Sequence, residues 1–184
     1  MACDLTLGRK EPCKDVVGGL MAVYFFNFDD CAVTLTGDEV TDIDDGAATP
    51  GSATAYKYEL KGANNLEEAI NTSRDNGTTF FQQALNLTLK KLDADTTKEV
   101  KLLSYGRPKI VVQDRNGNAI MLGIEHGCDL VGGTIGTGTQ QGDLAGYTLQ
   151  FQGQEPIPGS FLNGATKADP FAGMSTSVTV VEGT

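Results

Sequence analysis

The sequence predicts a mainly β protein: an antiparallel β-barrel or sandwich with one flanking α-helix and extended arms. Glycine accounts for 23 of the 184 residues. This is well above the usual ~7% and favours many tight turns. About nine or ten short segments have the alternating or aromatic-rich pattern of strands, and a single segment has the pattern and capping of a helix. Such a set of elements buries its core between two sheets or inside one closed sheet.

The length predicts one domain with an arm at each end. Residues 1–19 mix charge, proline and glycine without a sustained period, and we interpret them as an N-terminal arm. Residues 20–158 contain most of the strand patterns and the helix. Residues 159–184 are predicted to form a C-terminal arm or to supply the last strand.

The first strands follow the N-terminal arm. Residues 20–26 (LMAVYFF) are apolar and aromatic, and residues 31–36 alternate between apolar and polar side chains, so both segments predict strands. Residues 37–54 are polar, acidic and rich in glycine, alanine and threonine. We expect a short strand around Val40 and then a long loop, and loops of this length are usually functional or disordered.

The central segments include the clearest strand. Residues 55–62 alternate strictly, residues 65–72 fit either a short helix or a strand, and residues 75–77 (DNG) predict a tight turn. Residues 79–91 (TFFQQALNLTLKK) predict a long, half-buried strand with one apolar and one polar face. The polar face carries Gln82, Asn86, Thr88 and Lys90.

One helix is predicted after this strand. Thr96 and Glu99 fit a capping box, in which the threonine hydroxyl accepts from the N3 amide and the glutamate reaches back to the N-cap N–H. Gly106 and Pro108 are the signals that end the helix.

A hairpin follows the helix. Asn116-Gly117 lies between two apolar segments, residues 109–113 and 118–125, and favours a type I′ turn. Because both segments are apolar on successive residues, we expect this hairpin to be central and covered on both faces. Further strands are predicted at residues 128–135, 146–152 and 177–181, and flexible connections or arms at residues 132–142 and 159–173. The expected core comprises Phe81, Leu85, Leu87, Ile110, Val112, Ile120, Leu122, Leu149 and Phe151.

Charge and composition exclude several classes of protein. The chain has 24 acidic and 14 basic residues, for a formal net charge of -10, so it does not resemble a nucleic-acid binder that neutralises phosphates. Residues 1–15 have no apolar signal region, and residues 20–26 are far shorter than the ~18 residues of a membrane span. We therefore expect a soluble protein made in a cytoplasm. Its cysteines, Cys3, Cys13, Cys31 and Cys128, form no C-x-x-C pair and are predicted to be free thiols.

His126 and Cys128 are the first candidates for chemistry. They could form a nucleophile pair or part of a metal cluster, but no third orienting group is evident. His126 is the single histidine of the chain, which excludes most histidine-based zinc sites and favours a structural role.

Three other patterns have simpler interpretations. Residues 114–125 partly imitate an EF-hand loop, but Ala119 stands where glycine is required and both flanks read as strand. Residues 132–138 (GGTIGTG) lack the lysine and the following helix of a phosphate loop. The acidic cluster of the 37–54 loop favours a solvated loop over weak calcium binding. It comprises Asp38, Glu39, Asp42, Asp44 and Asp45. We therefore expect no catalytic residues, no cofactor site and no metal site, and a protein that is not an enzyme.

The order of segments between residues 77 and 156 resembles a known family. A long strand precedes a helix ending in LLSYGRP, then come the hairpin KIVVQDRNGNAIMLGIEHG, a Gly- and Thr-rich stretch, and the strand GYTLQFQGQEPIP. This order resembles the tail tube proteins of tailed bacteriophages, especially those of phages with Bacteroidetes-type hosts. The resemblance implies subunits that join edge to edge into rings, commonly hexameric, which stack into a hollow tube for genome ejection.

The resemblance also implies partners and a location. The partners would be copies of the chain itself, other tail proteins, and double-stranded DNA that passes through the lumen without specific binding, with no membrane involved. The 37–54 loop would reach a neighbouring ring, and the arms at residues 1–19 and 159–184 would make similar contacts. The protein would be located in the virion tail after assembly in the bacterial host cytoplasm.

The physics of a DNA conduit is compatible with this sequence. Basic side chains would trap DNA, whereas an acidic or uncharged lining lets it slide, and Gln82, Asn86 and Thr88 are candidate wall residues. Two alternatives stay open. One is the tube subunit of a bacterial contractile injection system. The other is a monomeric β-barrel module that binds a small ligand or calcium through residues 37–54.

Overall fold

The computed structural model describes residue 5, residues 7–48 and residues 51–183, and these residues form a mainly β structure. The strands are β1 (Leu20–Phe26), β2 (Ala32–Thr36), β3 (Glu39–Asp44), β4 (Thr54–Glu59), β5 (Asn65–Ser73), β6 (Thr78–Lys90), β7 (Lys109–Asp114), β8 (Ala119–Leu122), β9 (Asp129–Gly136), β10 (Gly146–Glu155), β11 (Ser160–Leu162) and β12 (Thr179–Glu182). The helix α1 (Ala94–Tyr105) lies between β6 and β7. In the described part of the chain, no helix has the length and apolar character needed to span a membrane.

The strands form two sheets. The larger has eight strands in the order β12-β4-β1-β7-β8-β11-β3-β2, and the smaller has four in the order β5-β6-β10-β9. Within the described residues, neither sheet closes on itself, because the outermost strands of each pair on one side only. The two sheets face each other across a shared core, so a sandwich describes the fold better than the alternative of a closed barrel.

The core between the sheets, here called the inner core, confirms most of the predicted positions. Leu85, Leu87, Ile110, Val112, Leu122, Leu149 and Phe151 are buried there. Tyr147 and Val100 join them and attach the helix to the smaller sheet. Two predicted positions, Phe81 and Ile120, are only half-buried. Phe81 pairs with Ile70, whose side chain is 68% exposed, so this end of the sheet extends past the core.

A second core lies on the other face of the larger sheet. There Tyr24 and Phe26 of β1 and Met121 of β8 pack with Val40 and Ile43 of β3. The expectation that the β7–β8 hairpin is central and covered on both faces is confirmed, because β7 contributes to both cores.

The predicted 37–54 loop contains a longer strand than expected. β3 occupies Glu39–Asp44, and the remaining connection runs from residue 45 to residue 53. Val40 and Ile43 are both fully buried although they are three positions apart, which in a regular strand places them on opposite faces. A register irregularity between β2 and β3 allows this, because it breaks the alternation of faces. Because of this irregularity, the apolar residues of β3 do not alternate with a period of two, and the sequence pattern did not show the full length of the strand.

The strand bounds decide one open prediction and correct two others. Residues 65–72, which fitted a helix or a strand, belong to β5, which pairs along its length with β6. The first part of the predicted flexible stretch at residues 132–142 lies within β9. The predicted strand at residues 118–125 ends at Leu122, and a tight turn follows in which Gly127 N–H donates to the Gly123 carbonyl.

The capping prediction for the helix is wrong by one turn. The N-cap is Asp93, whose carboxylate accepts from the N–H groups of Asp95 and Thr96 at 3.1 and 3.2 Å. Thr96 therefore lies inside the first turn. Tyr147 of β10 fixes Asp93 in place, because its hydroxyl accepts from Asp93 N–H at 3.1 Å and donates to the Asp93 carbonyl at 2.9 Å.

The C-terminal segment contributes to the larger sheet at two places. β11, within a stretch predicted to be flexible, lies between β8 and β3 and buries Leu162. β12 runs parallel to β4 at the edge of the sheet. At the other end of the chain, residues 7–19 form no helix or strand. Val17 is held there by Asn116, whose side chain pairs with its N–H and carbonyl, each at 2.9 Å.

Candidate functional site

The outer face of the four-stranded sheet is the most distinctive surface of the molecule. Along β6 and β10, alternate side chains such as Leu85, Leu87, Tyr147 and Leu149 are directed into the inner core. Because successive side chains of a strand point to opposite faces, the intervening positions are directed away from the core. We call these positions the uncharged face. They are Gln82, Ala84, Asn86, Thr88, Thr148, Gln150, Gln152 and Gln154.

The uncharged face is continuous because its residues are paired across the two central strands. Thr148 lies opposite Thr88, Gln150 opposite Asn86, and Gln154 opposite Gln82. The pattern extends onto β9, where the Thr134 hydroxyl hydrogen-bonds to that of Thr148 at 2.6 Å. Charged side chains occur only around its margin, at positions such as Glu67, Lys90 and Asp129.

The two edge strands of this sheet, β5 and β9, run in opposite directions. Within the described residues, β5 pairs only with β6 and β9 pairs only with β10, so each presents an unpaired backbone edge. All three pairings in the sheet are antiparallel. β5 and β10 therefore run in one direction, and β6 and β9 run in the other. The β9 edge of one copy would consequently lie antiparallel to the β5 edge of a second copy placed beside it in the same orientation.

Exposed apolar side chains accompany both edges. Ile70 of β5 is 68% exposed, and Val131 and Ile135 of β9 are 54% and 57% exposed. The two strands also have similar lengths, nine residues in β5 and eight in β9. Exposed edges of this kind are templates for pairing with another chain.

The acidic cluster of the 37–54 loop uses several of its carboxylates to hold local structure. Asp42 accepts from the N–H and the hydroxyl of Thr176 at 2.7 and 3.0 Å. Asp45 accepts from the N–H groups of Gly51 and Ala47, and these hydrogen bonds lower its pKa. The Asp44 carboxylate accepts from Gly46 N–H at 2.7 Å. These contacts give three of the five acids, Asp42, Asp44 and Asp45, a role in holding the local main chain.

The EF-hand-like segment is the turn of the β7–β8 hairpin. The Asp114 carboxylate accepts from the main-chain and side-chain N–H groups of Asn116 and Asn118, at 2.8–3.0 Å. Partial burial alone would raise the pKa of Asp114, but these hydrogen bonds outweigh it and the pKa is lowered. Gly117 has a φ of 100°, but Asn116 does not have a positive φ, so the predicted type I′ turn, which needs positive φ at both central residues, is wrong.

His126 and Cys128 do not form a reactive pair. His126 is exposed, whereas Cys128 is 1% exposed and burial raises the pKa of its thiol to about 12. A thiol with this pKa is protonated at neutral pH and is a poor nucleophile. His126 and the neighbouring Glu125 instead donate their main-chain N–H groups to one oxygen of Glu155, a buried residue that the sequence reasoning did not select.

Cys31 and Cys13 also have free thiols. Cys31 is buried, and burial raises its pKa to about 11, whereas Cys13 is exposed. Cys3 lies outside the described residues. The glycine-rich 132–138 segment lies mostly in β9 and is not followed by a helix, which leaves no helix N-terminus to hold a phosphate.

The sequence reasoning found part of the uncharged face and missed the rest. Gln82, Asn86 and Thr88 were evident from the alternation within residues 79–91. Gln150, Gln152 and Gln154 alternate in the same way, but only the pairing of β10 with β6 shows that the two sets share one surface. No family model, curated protein or solved structure matches this chain.

Proposed function

We propose that this protein is a structural subunit of a tube, the tail tube of a tailed bacteriophage, and that it assembles edge to edge into stacked rings. The observation that carries the proposal is the direction of the two free edges of the four-stranded sheet. Since β9 and β5 run antiparallel, lateral addition of identical subunits continues one antiparallel sheet from copy to copy. A contact between two different edges closes into a ring when the rotation between subunits divides the circle.

The uncharged face supports the assignment of this sheet to the lumen. Continued around a ring, it would line the tube with glutamine, asparagine and threonine, and the acidic side chains of Glu67 and Asp129 would lie where neighbouring subunits join. DNA binding by proteins depends on lysine and arginine that release counterions from phosphate, and such side chains would slow a passing duplex. The chain's net charge of -10 disfavours DNA binding elsewhere on the surface as well.

The larger sheet, with the helix and the terminal segments, would then form the outer wall and the contacts between rings. The 37–54 loop and the arms at residues 1–19 and 159–184 are the segments that the resemblance assigns to such contacts. A tube of a contractile injection system would use the same subunit geometry, and the identity of its assembly partners distinguishes the two.

The experiment targets the β9 edge. A Val131→Lys, Ile135→Lys double variant places charge on an exposed edge, a device that prevents strand pairing. Both side chains are more than half exposed, so the subunit should fold with a wild-type circular dichroism spectrum and melting temperature. We expect sedimentation velocity to show the wild-type chain as rings or larger assemblies and the double variant as monomers.

The matched control is Leu102→Lys on the helix, where the leucine is 55% exposed. This variant should assemble like the wild type, because α1 contacts β9 but supplies none of the unpaired backbone edge of β9 or β5. Assembly of the β9 double variant at wild-type concentrations would reject β9 as the ring contact.

A further inference from the structure

Glu155 is a buried carboxylate with half of its hydrogen-bonding capacity unused. It is the last residue of β10 and is 2% exposed. Its Oε1 accepts from the N–H groups of Glu125 and His126 at 3.1 and 2.8 Å. Its Oε2 is buried and has no hydrogen-bond partner among the residues that the structure describes.

An unpartnered buried carboxylate oxygen is unfavourable and requires an explanation. Buried polar atoms are almost always paired, and a charged group that loses its water without gaining a partner costs more than a neutral one. The two N–H donors on Oε1 hold the carboxylate in place. They leave Oε2 available for a partner that is not part of the chain's own hydrogen-bonding network.

The same two hydrogen bonds bring the side chains of Glu125 and His126, both potential metal ligands, close to the Glu155 carboxylate. Because the main chain of residues 125 and 126 is held against Glu155, both of their side chains lie beside it. One carboxylate oxygen from each glutamate and one imidazole nitrogen of His126 lie within 4.8 Å of one another. Glu125 and His126 are exposed, so their side chains can move closer without disturbing the core.

We propose that Glu125, His126 and Glu155 bind a divalent transition-metal ion of the Zn²⁺ type. Two carboxylates and an imidazole are ligands that zinc accepts, whereas calcium and magnesium prefer sites built from oxygen alone. The charges of the carboxylates balance that of the ion. Ligand distances of about 2.0–2.2 Å require the three atoms to approach to about 3.4 Å of one another, which rotation of the two exposed side chains provides.

The turn that carries two of the ligands is rigid, which favours binding. Gly123 and Gly127 both have positive φ, at 65° and 79°. The N–H of Gly123 donates to the buried side chain of Gln83 at 3.0 Å, and Cys128 N–H donates to the Pro108 carbonyl at 2.9 Å. The main chain of the site is therefore already in place, and binding orders only two side chains. The site stands independently of the proposed tube function.

The test is calorimetric titration of the chelator-treated, full-length protein with ZnCl₂. We expect saturable binding of one Zn²⁺ per chain. His126→Ala should weaken Zn²⁺ binding by about tenfold or more, since it removes one of the three ligands. Because His126 is exposed, this variant should still fold. Glu155→Gln should have at least the same effect. The control Glu99→Gln, at an exposed position on the helix, should leave affinity unchanged.

A second readout separates this site from the exposed thiol of Cys13. Co²⁺ should give the absorption of a nitrogen- and oxygen-ligated ion, without a thiolate charge-transfer band. Three results would each overturn the proposal: no saturable heat with Zn²⁺, unchanged affinity in folded His126→Ala, or a cobalt spectrum dominated by thiolate.

Discussion

At the residue scale, Asp114 shows how one side chain organises a turn in this protein. Its two carboxylate oxygens accept four hydrogen bonds from Asn116 and Asn118, in the turn that joins β7 and β8 of the larger sheet. Asn116 in turn holds Val17 of the N-terminal segment. The side chain therefore stabilises both the turn and the course of the chain that leads into β1.

Replacing Asp114 with alanine should lower the free energy of unfolding by about 1–3 kcal/mol at neutral pH, because the amide donors lose a charged acceptor. The folded-state pKa of Asp114 is lowered, so its contribution is present above the ordinary carboxyl pKa of about 3.9 and disappears as the pH falls through the lowered value. Thermal unfolding of both proteins from neutral to strongly acidic pH checks this. A difference in stability that stays constant down to the lowest pH would contradict it.

At the element scale, the start of the helix is set by a neighbouring strand as much as by its own sequence. The segment DADTT offers two possible N-caps, and local pattern favoured Thr96 because Glu99 follows three residues later. The structure selects Asp93 because Tyr147 of β10 binds both its N–H and its carbonyl. The Thr97 hydroxyl completes the contact at 2.6 Å from that of Tyr147.

Alanine at position 93 should therefore cost about 0.5–2 kcal/mol of stability, the usual value for loss of an N-cap. Alanine at position 96 should change stability by less than about 0.5 kcal/mol, since the Thr96 side chain caps nothing. Urea unfolding of the two variants measures the difference directly. The reverse order of effects would show that the helix begins at Thr96 in solution.

The strands show which elements a single sequence can predict. Residues 79–91 predict a strand because their alternation runs unbroken. Asn116-Gly117 predicts the hairpin, although only Gly117 of the pair has a positive φ and the turn is not type I′. β11 escaped detection because three residues are too few for a pattern, and it is stable only because β8 and β3 flank it. The sequence predicted β3 only as a short strand around Val40, because the register irregularity moves Ile43 out of the expected alternation.

At the scale of the whole molecule, the candidate sites depend on contacts between distant segments. Alternation shows that Gln82 and Gln150 each lie on a polar strand face, but strand pairing alone puts them on one surface. Glu155 meets His126 across 29 residues of sequence, so no local pattern could have joined them. Sequence reasoning therefore predicted the class of fold and many of its elements, while the grouping of functional side chains required the three-dimensional arrangement.

In the proposed assembly, the four-stranded sheet of each subunit continues into the next and encloses a channel. Negative-stain electron microscopy of the purified wild-type protein, over a concentration series up to its solubility limit, tests this most directly. We expect rings at moderate concentration and hollow filaments of constant diameter at high concentration, with the ring symmetry visible in end views. Single compact particles at every concentration would contradict it.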